Sequence, residues 1–196
     1  MMFVTEFYGS DAARLTAAAD AVFAALVDVD RLPEWNARVH HVIESPAPAS
    51  PVAEGTEWVV QMRASGGRWP SRSRALVVDP VARRFEYETH TDDGNPSSAL
   101  WSWQVTPAGA GCELTVTWAV YPRTWGRRLL GARIRRPALI NEVRTSLAGL
   151  DTHLQPSKAQ GMLRLRAPAI QPANAAASCL NEAVSMAPLS TAPADN

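Results

Sequence analysis

The chain has 196 residues and a mass of 21.2 kDa, enough for one well-buried domain and short for two. Hydrophobic residues make up 46% and charged residues 19%, which excludes a disordered or collagen-like chain. Nineteen basic and nineteen acidic side chains cancel, so no global surplus recruits nucleic acid, and none is expected as a partner.

The charge is nevertheless arranged by segment. Residues 1–60 carry nine acids and three arginines, residues 61–122 balance at six each, and residues 123–155 carry seven arginines against two acids. All fourteen aromatic residues lie between Phe3 and Trp125, so the core is expected there. Lys158 stands alone against eighteen arginines, a bias of coding composition more than a role for arginine. Cys112 and Cys179 form neither a disulfide framework nor metal-ligand spacing. No apolar run approaches the ~20 residues that span a bilayer. The opening MMFVTEFYGSD lacks a basic segment followed by an apolar one. A reducing, cytoplasmic setting is the expectation.

In chain order, residues 3–8 are extended in character, and the run through Leu15 and Thr16 completes or repeats a first strand. Residues 19–27 (ADAVFAALV) read as a short helix, with Val22, Phe23, Leu26 and Val27 on one face and Asp20 at the positive end of its dipole. RLPEWN follows as a second short helix, Pro33 suiting its first turn. Residues 38–44 then form a strand closed by SPAPASP. Residues 55–63 alternate, with Trp58, Val60 and Met62 on one side and Glu57, Gln61 and Arg63 on the other.

A Gly66-Gly67 turn leads to a strand at 69–79, where Arg72 and Arg74 share a parity with Leu76 and Val78; a bulge near Arg74 or Ala75 repairs this. Residues 84–91 set Phe85, Tyr87 and Thr89 against Arg84, Glu86, Glu88 and His90. After DDGNP, residues 99–106 set Trp101, Trp103 and Val105 against Ser102 and Gln104. After PAGAG, residues 113–121 offer Leu114, Val116, Trp118 and Val120. Such strands joined by short turns make an antiparallel meander with one apolar face. The helix at 137–154 covers it, since Ile140, Val143, Leu147, Leu150 and Leu154 recur at three- and four-residue spacing. From Pro156 onward eleven alanines, five prolines and no aromatic fill 41 positions, too little apolar surface to offset ordering, so 1–155 is the domain and 156–196 a disordered tail. A short helix at 175–186 is its one periodic stretch.

This order of elements, with Ala19-Asp20-Ala21-Val22-Phe23-Ala24-Ala25-Leu26 running into Asp28-Val29-Asp30-Arg31-Leu32-Pro33-Glu34-Trp35-Asn36, resembles the START-like (SRPBCC) superfamily, in its polyketide cyclase/dehydrase branch. Gly55-Thr56 opening a strand, Trp103-x-Val105-x-Pro107 before a glycine-rich turn, and the Leu114/Val116/Trp118 strand agree with it. The resemblance covers roughly residues 3–155. It implies an α+β helix-grip fold: a curved antiparallel sheet of six or seven strands around a long C-terminal helix, with two short helices after the first strand. It also implies a deep apolar cavity that binds a lipid, polyketide, quinone or similar small hydrophobic molecule, and in some members performs cyclisation or dehydration without a metal. The residues it would place on that ligand are Trp58, Val60, Met62, Tyr87, Thr89, Trp101, Trp103 and Trp118 from the strands, with Val143 and Leu147 from the helix. Four tryptophans, each burying roughly 150–250 Å², could equally fill the cavity.

Acid–base chemistry needs a titratable group within reach of the substrate. Tyr87 is the candidate, with Thr89, Thr91, Asn36 and Arg38 as polar neighbours; a rim tyrosine is more often structural. His40 and His41 are adjacent, so one faces inward on a strand. His90 reads as exposed, and His153 suits a helix C-terminus. No metal set, phosphate loop or nucleophile elbow is present in the sequence, and no cofactor is expected. Arg123, Arg127, Arg128, Arg133, Arg135 and Arg136 surround Trp125, Leu129, Leu130 and Ile134 in a basic amphipathic stretch. It reads as a solvated or self-paired face, with a membrane surface as the alternative. Three readings follow: ligand binder or carrier, cyclase-like enzyme, and membrane-surface lipid-binding regulator.

Overall fold

The computed structural model describes residues 6–46, 51–64, 67–92, 94–124 and 136–155, all within a unit spanning Met1–Pro156. The expected tail at 156–196, with its helix at 175–186 and Cys179, most of the basic stretch and the Gly66 half of the expected turn lie outside the described residues.

Strand β1 (Phe7–Leu15) is followed by helix α1 (Ala19–Val27), a 3-10 turn (Val29–Arg31) and helix α2 (Leu32–Trp35). Strands β2 (Val39–Glu44), β3 (Glu57–Ala64), β4 (Gly67–Asp79), β5 (Arg84–Thr91), β6 (Ser98–Ala108) and β7 (Gly111–Tyr121) lead to helix α3 (Arg136–Leu154). All seven strands form one antiparallel sheet in the order β1-β7-β6-β5-β4-β3-β2. The first strand therefore closes onto the last, as Phe7 opposite Val120 and Leu15 opposite Cys112 show. The curved sheet wraps α3, which is the helix-grip arrangement.

Turn chemistry sets the register. Asp79 Oδ1 accepts from the Val81 and Ala82 amides at 2.9 and 2.8 Å, folding the β4–β5 turn back on itself before the left-handed Arg83. Gly109, at φ 61°, makes the tight β6–β7 hairpin. The bulge in β4 falls between Ala75 and Val77, so Leu76 is the extra residue, one position beyond the expected place. It lets Ser71, Ser73 and Ala75 face the concave side and Val78 resume there, while Arg72 and Arg74 point outward.

One end of the grip is solid. Val22, Leu26, Val105, Leu114, Val116 and Leu150 are all at most 2% exposed, with α1 packed over β5, β6 and β7. Here α3 meets α2 so closely that a Cβ on Gly149 would stand 2.4 Å from the Trp35 carbonyl oxygen. The opposite end is built differently. Ala64, Trp69, Thr91, Ser98, Pro122 and Ala138 converge there around open space.

Candidate functional site

That space is a cavity of about 820 Å³ between the concave sheet face and the first half of α3. Its size falls within the range of sites that enclose a small molecule. Alternation along the strands aims side chains into it: Trp58, Val60 and Met62 from β3, Phe85, Tyr87 and Thr89 from β5, and Trp101 and Trp103 from β6. Leu139, Val143 and the neighbouring turns of α3 form the facing wall. His90 also borders the space and is exposed, so this end communicates with solvent.

The aromatic wall is continuous. Trp58 stacks on Phe85 at 6.2 Å and meets Tyr87 at 5.5 Å, Tyr87 stacks on Trp101 at 6.4 Å, and Trp101 touches Trp118 at 6.1 Å. Trp35 packs edge-to-face on Trp103 at 6.2 Å. Such pairs hold one another's rotamers and keep the rings upright as walls, so they leave the centre open.

Two expected residues stand beside the cavity and not on it. Trp118 is on the concave face, yet its ring lies over Gly9, where a Cβ would meet Trp118 Cζ2 at 2.3 Å; the absent side chain draws the indole toward β1. Leu147 is 3% exposed and belongs to the half of α3 pressed onto α2, where no space remains. His41 is exposed on edge strand β2, and neither it nor His40 borders the cavity. His153 lies 3.4 Å from Glu34, away from the site. Cys112 is buried, and burial pushes its thiol pKa up, which suits packing better than reactivity.

Polar groups enter the wall from two sides. On one side Asn36, Arg38, Glu142 and Ser146 come together. The Arg38 guanidinium pairs with the buried Glu142 carboxylate and donates to the Arg63 carbonyl at 3.2 Å. Asn36 Oδ1 accepts from the Arg38 amide at 3.1 Å and from the Ser146 hydroxyl at 3.4 Å. On the other side the hydroxyls of Ser71 and Thr89 lie 2.6 Å apart, and Ser71 also donates to the His90 carbonyl at 3.2 Å. Near them, burial pushes the Tyr87 phenol up to about 12, partly offset by a bond from the Trp103 side chain. It is therefore a proton holder at neutral pH.

Trp35 has the one buried side-chain nitrogen with no hydrogen-bond partner among the described residues, and its ring borders the cavity. Sequence reading assigned Trp35 to a short helix and missed it as wall, together with Trp69, Ser71, Ser73, Glu142 and Ser146. Glu142 and Ser146 carried a signal: a polar pair four residues apart beside Leu139 and Val143 marks a helix face that meets something other than packed core. The described residues hold no group of three metal-ligating side chains and no helix long and apolar enough to cross a membrane.

Residues 10–155 match the family described as polyketide cyclase / dehydrase and lipid transport. No protein of curated function matches the sequence. Similar solved structures include protein CV1439 from Chromobacterium violaceum, at 20% identity over 76% of this chain and 97% of that one, with a TM-score of 0.61. The Zhui aromatase/cyclase of Streptomyces sp. R1128 is 16% identical over 83% and 97%, with a TM-score of 0.61. Major latex-like protein 151 of Panax ginseng is 10% identical over 78% and 99%, with the same TM-score. At these identities the likeness is one of fold.

Proposed function

Because the chain belongs to the polyketide cyclase/dehydrase and lipid transport family of SRPBCC proteins, we propose that it binds a small hydrophobic ligand between the sheet and α3. The observation that carries this is the open volume of about 820 Å³ behind an unbroken aromatic wall. Three of the four tryptophans thought able to fill the space line it. A cavity of this kind gains free energy by taking apolar surface out of water, roughly 25 cal/mol for each Å² removed. The polar groups on two sides would then orient the guest. Trp58, Val60, Met62, Tyr87, Thr89, Trp101, Trp103 and Val143 are the contact residues of this reading.

A cyclase-like activity is the second reading, favoured by the hydroxyl and Arg38–Glu142 groups in the wall. Carriage is preferred because Tyr87 holds its proton far above neutral pH, whereas an acid–base catalyst works best near the operating pH, and the Glu142 carboxylate is already engaged by Arg38. Association with a membrane through the arginines from 123 to 136 concerns residues mostly outside those described.

Native mass spectrometry of protein isolated from the cells that make it tests the reading directly. A bound mass in the range of a lipid or polyketide, lost on denaturation, supports it. Protein that arrives empty and also fails to take up neutral phenylnaphthylamine from solution would overturn it. Retention of the guest by Tyr87→Phe with loss of its chemical conversion would favour the enzyme.

A further inference from the structure

One row of side chains runs across the sheet along the cavity floor. The strand register sets Phe7 opposite Val120, Val120 opposite Ala99, Ala99 opposite Thr89, Thr89 opposite Ser73 and Ser73 opposite Trp58. All six border the cavity, and only the adjacent pair Thr89 and Ser73 is polar. A hydroxyl taken out of water costs free energy unless it is hydrogen-bonded, so the partners of these two decide what the floor can hold.

Thr89 is engaged in one sense only. Ser71 Oγ donates its single proton to the His90 carbonyl at 3.2 Å, so in its 2.6 Å contact with Thr89 Oγ1 it accepts, and Thr89 donates. Thr89 Oγ1 thereby uses its proton and keeps lone-pair capacity as an acceptor. Ser73 is different. It is 4% exposed, and its hydroxyl has no hydrogen-bond partner among the described residues. Its oxygen is not sealed inside protein as the orphaned Trp35 nitrogen is, so it opens onto the cavity that Ser73 lines.

A free donor and an open acceptor therefore stand on adjacent strands at directly opposite positions, where Cβ atoms lie about 4.5–5.5 Å apart. An oxygen set between them reaches both at an ordinary length of about 2.7–2.8 Å. A carbonyl or ether oxygen can only accept from Ser73, whereas a hydroxyl can accept from Ser73 and also donate to Thr89. The Trp58 ring on one side of the pair and the short Ala99 on the other suit a flat apolar body carrying that hydroxyl.

We propose that the guest bears a neutral hydroxyl, a phenol or an alcohol, that accepts from Ser73 and donates to Thr89 while its apolar body lies in the cavity. This rests on the ligand-binding reading above, and the two can fail separately.

The test uses three guests that share one ring system and are uncharged at neutral pH, each displacing the fluorescent probe phenylnaphthylamine. 2-Naphthol donates and accepts, 2-methoxynaphthalene only accepts, and 2-methylnaphthalene does neither. Affinities are read relative to the methyl guest, which cancels any general loosening of a variant. Ser73→Ala should weaken both oxygenated guests about three- to tenfold on that scale, and Thr89→Val the naphthol alone by a similar factor. The double variant Ser73→Ala/Thr89→Val should lower the naphthol ratio at least about tenfold. A naphthol that fails to enter the wild type, a ratio unmoved by the double variant, or a methoxy guest as sensitive to Thr89→Val as the naphthol overturns the hydroxyl proposal while the cavity reading stands. If the wild type does not take up even phenylnaphthylamine, the cavity reading falls and this proposal with it.

Discussion

Gly149→Ala makes a prediction in which two ordinary expectations oppose each other. In an exposed helix interior, alanine is favoured over glycine by about 1 kcal/mol. Gly149, however, sits where α3 presses on α2, and its new Cβ would lie 2.4 Å from the Trp35 carbonyl oxygen. That is roughly 1 Å inside ordinary contact, and the obstacle is backbone, which cannot rotate away. Overpacking of this kind costs about 1–3 kcal/mol, and a rigid partner places it near the upper end. The net loss is about 2 kcal/mol, or a fall in Tm of about 4–8 °C for a domain of this size. Equilibrium urea denaturation with a far-ultraviolet readout measures it. The same displacement moves Leu139, Glu142, Val143 and Ser146, because one helix carries both the tight contact and the cavity wall. Neutral probe affinity should therefore drop along with stability. A Gly149→Ala protein as stable as wild type, or more stable, would refute the close approach of α3 to α2.

Tyr87→Phe should bind the neutral probe within about threefold of wild type. Because the folded-state Tyr87 pKa is raised to about 12 from 10, its contribution is complete below about pH 10 and is lost as pH climbs toward 12. The variant should thus lose less stability than wild type between those values, as thermal melts across the alkaline range would measure. Trp101→Ala should cost about 2 kcal/mol, below the ~3–5 of a ring packed on all sides, since one side already faces the cavity. It should also admit a bulkier probe, measured by fluorescence titration. Ser71→Val should cost about 1–2 kcal/mol by leaving Thr89 and the His90 carbonyl without the hydroxyl they share. Thr89→Val in the same protein should recover part of that loss, a cycle read by denaturant unfolding.

The order of elements was legible in the sequence because alternation and punctuation act locally. Asp79-Pro80 ended β4, the glycine-rich 109–111 turn joined β6 to β7, and the period of two in 84–91 put Phe85, Tyr87 and Thr89 on one face. Of the cavity's polar groups, Asn36, Arg38, Tyr87, Thr89 and Thr91 were legible and do border it, whereas Ser71, Ser73, Glu142 and Ser146 were not, for two physical reasons. A bulge adds one residue and inverts parity, so whether Ser71 and Ser73 face in or out depends on a single position that no local pattern fixes. Helix α3 was legible as an apolar stripe that puts Val143 on the cavity, but a stripe of apolar residues does not show that Glu142 and Ser146 share that wall, where they are tolerated because Arg38 and Asn36 meet them. Trp118 was placed on the correct face, but its lean toward β1 follows from a glycine more than a hundred positions earlier.

The aromatic wall has an optical consequence. Rings whose centres lie 5.2 to 6.4 Å apart exchange excitation faster than they emit. Trp58, Tyr87, Trp101 and Trp118 therefore behave as one antenna, with light absorbed at either end surfacing at the lowest-energy indole. The guest proposed above, lying against any one of them, should perturb the emission of all, and the coupled transitions should add a near-ultraviolet circular dichroism band that changes when it binds. The proposed binding would thus be readable from the protein's own rings, without label or tag.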